Sequence, residues 1–163
     1  MKHRIKQVIK FIKLPAKQKF LFGETLIILG TSRFIIWKLK FKQLAHLLGK
    51  VNQETNEYME EIDLEQIKQI STTIKVLSRY TPWKSNCLVQ AYAGKRLLAR
   101  RKLGCTLYLG VAKDHDGTMI AHAWLRCGNY YVTGGNGSLR YTITNRFASH
   151  HKIPKKPQVT PSA

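Results

Sequence analysis

The sequence predicts an α+β fold, with helices first and an antiparallel sheet after them, and three observations carry that prediction. Up to Gly104 the apolar residues recur mostly at helical spacing, and from Cys105 onward they alternate with a period of two. At the changeover Cys87 stands where a loop enters a helix. His122 stands inside a later strand, 35 residues on. The 163 residues suffice for one modest core, and the 44% apolar content is that of a folded protein.

Ile5, Val8, Ile9 and Ile12 recur at helical spacing with Lys6, Lys10 and Lys13 between them, a short basic amphipathic helix that Pro15 stops. Such a helix either packs on the core or docks on a partner or an anionic membrane surface. From Ala16 to Leu48 the pattern is helical and strongly apolar. It predicts two helices that meet or bend near Gly30–Ser32, closed by Gly49. The longest uncharged run within Phe20–Trp37 is eight residues, against about 18–20 for a bilayer span, so a buried or interfacial helix is expected.

Residues 50–62 are polar and acidic and read as a linker. Asp63-Leu-Glu-Gln66 has the form of a capping box, and Ile67, Ile70, Ile74 and Leu77 then share one helical face until Pro82. A helix over 86–102 follows, ended by Gly104. Its arc of Lys95, Arg96, Arg100, Arg101 and Lys102 reads as solubilising charge near a helix C-terminus. Strands are expected over Cys105–Ala112, Met119–Cys127, Tyr130–Thr133 and Leu139–Phe147, with turn-rich segments between them. The tail from Ser149 carries three prolines and several lysines and is expected to be flexible. The expected organisation is an N-terminal helical region with an acidic linker over 1–62, a core over 63–148 and a basic tail over 149–163.

Charge sets the class of partner. There are 28 Lys and Arg against 9 Asp and Glu, a net +19, which favours acidic partners. No DNA- or RNA-reading motif accompanies the charge, so nucleic acid is not expected. Three cysteines without paired spacing offer no zinc site, and the Gly134–Gly137 loop lacks the helix and Lys-Ser/Thr of a phosphate cradle. Neither metal nor cofactor is expected. An odd cysteine count and no signal-peptide pattern point to a reducing, cytoplasmic setting, with membrane association through the N-terminal helix as a further option.

Taken singly, Cys87 and His122 are weak signals, since free cysteines are mostly buried hydrophobes and strand histidines mostly structural. Together they describe a nucleophile at a helix N-terminus, where the dipole favours thiolate, and a general base on the sheet. The segments TPWKSNCLVQAYAGKRLL, LYLGVA, AHAWLRCG and VTGG resemble the lasso-peptide leader peptidases, small cysteine proteases of transglutaminase-like and papain-like architecture. The resemblance covers roughly residues 75–147.

That resemblance implies removal of the leader from a lasso-peptide precursor. Cys87 would attack the scissile carbonyl, His122 would protonate the leaving amine, and water would resolve the thioester. It also implies a separate leader-recognition protein and a macrolactam synthetase as partners. The family's third catalytic member is an aspartate about a dozen residues after the histidine, and Gly134 stands there. No carboxylate side chain occurs from Gly117 to Ala163, so Asn136 is the preferred orienter, with Asn129, Asp114 and Asp116 as other candidates. The Cys87 N–H is the natural first oxyanion donor. Asn86, Ser85 and Trp83 are candidates for the second, and Trp83 and Trp124 read better as core aromatics. Two other functions stay open: acyl transfer to a different acceptor, and a non-catalytic basic scaffold that docks peptide or membrane.

Overall fold

The structure is a computed structural model that describes residues 15–56 and 61–150. The basic helix expected over 5–13 and the tail beyond 150 lie outside the described residues. Among the described residues four helices, α1 (Ala16–Lys38), α2 (Phe41–Leu48), α3 (Glu61–Leu77) and α4 (Cys87–Arg100), accompany five strands. These are β1 (Lys50–Val51), β2 (Cys105–Lys113), β3 (Met119–Cys127), β4 (Tyr130–Thr133) and β5 (Thr142–Ser149). The strands form one antiparallel sheet in the order β1-β5-β2-β3-β4, so the fold is α+β.

Alternation along the sheet decides what each face meets. Leu107, Leu109, Ala123, Leu125 and Cys127 point into one core with Ile67, Ile70 and Ile74 of α3, Val89, Leu97 and Leu98 of α4, and Leu21, Ile28 and Leu29 of α1. That core draws on residues either side of position 62. Tyr108, His122, Trp124 and Arg126 occupy the alternate positions, on the opposite face. There Arg126, 5% exposed, binds Glu54 Oε2 (3.1 Å), the Thr55 carbonyl (3.1 Å), the Gly128 carbonyl (2.6 Å) and the Tyr108 hydroxyl (2.9 Å). A buried guanidinium needs such a complete set of acceptors. It straps the acidic segment over the sheet, and the Thr55 N–H donates to Thr106 Oγ1 at 2.9 Å.

Several expectations need correction. α1 runs unbroken through Gly30–Ser32, and the break falls at Leu39–Lys40. The small residue there serves packing: a Cβ on Gly30 would lie 3.2 Å from the Trp83 indole. α3 begins at Glu61, so Asp63 lies within it. The linker contributes β1, which pairs with β5. The last strand starts at Thr142, after a 3₁₀ turn over Ser138–Arg140, and crosses to the far side of β2.

The basic arc of α4 is also more than solubilising charge. Glu24 of α1 binds Arg100 at 2.6 Å and Arg101 at 2.7 Å. Arg96 reaches Thr31 and Ser32, and Lys95 donates to the Leu47 carbonyl at 2.7 Å. Four of the five cations dock the cysteine helix onto α1 and α2.

Candidate active site

Cys87 is the first residue of α4. Asn86 precedes it in extended geometry, and its side-chain oxygen accepts from the Val89 N–H at 3.1 Å. This cap satisfies one of the orphan donors of the first turn. The cysteine thus sits at the positive end of the helix dipole, where main-chain N–H groups favour an anion.

The loop that delivers it is pinned by side chains. Thr81 Oγ1 donates to the Trp83 carbonyl at 3.0 Å and lies 2.9 Å from Ser85 Oγ. Gln90, the last residue of CLVQ, reaches back to donate to the Ser85 carbonyl at 2.8 Å. Neither Thr81 nor Gln90 stood out as a site residue in the sequence. The W-x-x-x-C-L-x-Q spacing that ends at Gln90 was the available signal.

Burial separates the three thiols. Cys105 and Cys127 are buried in the core, which pushes their thiols up to about 12 and about 11, and Cys127 Sγ donates to the Gly104 carbonyl at 3.0 Å. A thiol held protonated is a poor nucleophile. Cys87 is half-buried, against the edge of the core.

His122 lies on the part of β3 that extends past β4, whose pairing begins only at Leu125. Its ring stacks on Tyr141 (centroids 5.0 Å apart) and Trp124 (5.9 Å). Trp124 stacks in turn on Tyr108 at 5.5 Å, and the Tyr108 hydroxyl donates to Glu54 at 3.0 Å. An aromatic column therefore links the histidine to the Arg126–Glu54 strap. Trp124 is 3% exposed and belongs to that column.

His122 Nε2 lies 2.9 Å from the carbonyl oxygen of Gly134. A carbonyl only accepts, so Nε2 carries the hydrogen and Nδ1 of the neutral ring carries the lone pair. Position 134 therefore holds the ring through its main chain, at the place where the resemblance leads one to expect a carboxylate. The residue has φ +68°, and a Cβ there would lie 2.6 Å from the Ala123 oxygen and 3.1 Å from His122 Nε2. Only glycine fits this geometry. Asn136 is exposed, and no hydrogen bond joins it to the ring among the described residues.

The structure thus assembles two half-sites. Cys87 stands with Asn86, Ser85 and Gln90, and His122 with Gly134, Trp124 and Tyr141. No hydrogen bond joins Cys87 Sγ to the His122 ring among the described residues. Trp83 packs on Gly30, and its buried Nε1–H has no hydrogen-bond partner among the described residues. No group of three or more His, Cys, Asp or Glu side chains is gathered to hold a metal ion among the described residues.

A search of the curated proteins and of the solved structures gives no significant match. A model of the transglutaminase-like superfamily, which contains cysteine proteases and acyl transferases, matches residues 35–146. This span holds α4, β2, β3, β4 and most of β5, with both Cys87 and His122. On that match, over more than half its length, the chain belongs to the transglutaminase-like superfamily.

Proposed function

We propose that this protein is a cysteine endopeptidase that cleaves the leader from a lasso-peptide precursor through a thioester on Cys87. The observation that carries the acyl chemistry is the pairing of a capped helix N-terminus under Cys87 with a histidine whose Nε2–H is committed to Gly134. That commitment leaves Nδ1 to take the thiol proton.

This reading requires Sγ of Cys87, at the start of α4, and Nδ1 of His122 to come into contact in the substrate complex. The thiolate adds to the scissile carbonyl, and the oxyanion is met by the Cys87 N–H at the start of α4. His122 returns the proton to the leaving amine, so the core peptide departs with a free N-terminus. The leader stays on Cys87 as a thioester until water, deprotonated by His122, releases it as a carboxylate. A carbonyl fixes the tautomer as a carboxylate would but carries no formal charge to stabilise the imidazolium. The support for the lasso-peptide substrate is the resemblance of WKSNCLVQ and AHAWLRC to the leader peptidases. A separate leader-recognition protein and a macrolactam synthetase are the partners it implies.

The test mixes the purified chain, a candidate precursor and its recognition protein, and reads the products by mass spectrometry. Leader and core as separate masses support the reading, and an intact authentic precursor opposes it. The second reading, acyl transfer, is favoured by superfamily membership alone. A leader–amine conjugate formed in place of the free acid would establish it.

A further inference from the structure

α1 presents two contrasting faces. Leu21, Thr25, Ile28, Leu29 and Ser32 are buried on one side. On the opposite side Phe20 (70% exposed), Ile27 (67%) and Phe34 (57%) stand in line at seven-residue spacing, and Trp37 (67%) and Phe41 (56%) extend the row to the start of α2. Folding has left large apolar side chains in water along a helix about 35 Å long, and a row of this size marks an interaction surface. Phe20, Ile27 and Phe34 all precede the segment matched to the superfamily.

Cations flank the row in sequence, namely Lys17, Lys19, Arg33, Lys38, Lys40 and Lys42, and Lys38 Nζ lies 5.3 Å from the Trp37 ring centroid. Glu24, the sole carboxylate side chain in residues 1–50, points inward to Arg100 and Arg101 and offsets none of that flanking charge. We infer that this face docks on an anionic lipid bilayer, with α1 lying in the headgroup region and its apolar row entering the acyl boundary.

Charge chooses this occupant over the others. The segment 1–14 carries Lys2, Arg4, Lys6, Lys10 and Lys13 and no carboxylate side chain, so it adds to the positive charge that favours an anionic partner. A second copy brings the same net +19. Protein interfaces are depleted in lysine, whereas lysines flanking an apolar helix face suit anionic headgroups, about which their stems can snorkel. By length and composition α1 is long and apolar enough to cross a membrane, with a mean hydropathy of 1.4 over its best window. Its buried stripe, however, is part of the core, so α1 docks from one side. The inference is independent of the catalytic reading.

Trp37 reports directly, because Trp83 is half-buried and Trp124 buried. The full-length chain is titrated with vesicles of phosphatidylglycerol and phosphatidylethanolamine, and in parallel with phosphatidylcholine alone. The expected result is a blue shift of Trp37 emission, quenching by brominated lipid, and co-sedimentation at least tenfold stronger with the anionic vesicles. The triple variant Ile27→Ser, Phe34→Ser, Trp37→Ser changes only exposed positions. It is expected to melt like the parent and to sediment at least tenfold more weakly. Undiminished sedimentation of that variant overturns the inference, as does failure to bind anionic vesicles. A Trp37 emission already shielded without lipid overturns it too, because the face is then covered by the chain itself or by a second copy.

Discussion

Replacing Gly134 by alanine perturbs the catalytic geometry at the point where it departs from a carboxylate-based site. The φ of +68° costs a residue with a Cβ about 1–2 kcal/mol. The added carbon also meets the Ala123 oxygen at 2.6 Å and Trp124 Cβ at 3.0 Å, so the loop has to move by several tenths of an ångström. Together these effects give a destabilisation of about 2–4 kcal/mol. The same movement displaces the carbonyl that holds His122 Nε2 at 2.9 Å. A base released from its orienter forfeits most of the general acid–base contribution, so kcat is expected to fall about 10²–10³-fold. Gly137→Ala is the matched control. Its φ is +81°, but nothing lies within 4 Å of the Cβ position, so it incurs the backbone strain and leaves activity unchanged. Leader release measures the rate, and long-range ¹⁵N–¹H NMR of the His122 ring measures the tautomer. Full activity with an unaltered tautomer in Gly134→Ala would refute the assignment, and so would an equal loss in Gly137→Ala.

Four further outcomes follow from the structure. Iodoacetamide is expected to alkylate Cys87 alone in the native chain and all three thiols in denaturant, and native modification of Cys105 or Cys127 would contradict their burial. Those two thiols also set an alkaline limit. The folded chain holds them protonated up to about 12 and about 11, whereas in the unfolded chain they ionise near the ordinary value of 9.0. The unfolded state then binds fewer protons, so Tm is expected to decline as pH rises above about 9, less steeply in Cys105→Ala. Arg126→Ala strands the acceptors of the strap and is expected to cost about 3 kcal/mol in urea unfolding, the low end for a broken buried pair because Glu54 keeps Arg146. Glu24→Gln loosens α1 from α4. Because Arg100 is largely solvated, the expected loss is about 1–2 kcal/mol, with Cys87 alkylation unchanged.

The elements with strong periodicity were legible from residue types alone. Met119–Cys127 emerges with the expected bounds, and the helix expected over 86–102 runs Cys87–Arg100, because alternation and helical spacing are local signals. The unbroken α1 was not legible, since Gly30 and Ser32 look like a hinge until Trp83 is seen against Gly30. The β5 crossover was hidden for a similar reason: nothing in Thr142–Ser149 specifies β2 over β4 as its neighbour. At the site, side-chain patterns pointed to Asn136 as the orienter of His122. The histidine is instead met by a main-chain oxygen, which every residue possesses and no sequence pattern advertises. The position of Gly134, twelve residues after His122, was visible; its φ and the direction of its carbonyl come only from the folded loop.

Acyl chemistry at Cys87 is the claim on which both the peptidase and the acyl-transfer readings depend, and intact-mass spectrometry of acid-quenched turnover mixtures tests it most directly. The expected result is a fraction of the chain heavier by the leader peptide, with the adduct mapped to Cys87, labile to hydroxylamine and absent from Cys87→Ala. Leader release that persists in Cys87→Ala, with no adduct on the parent chain, would contradict it.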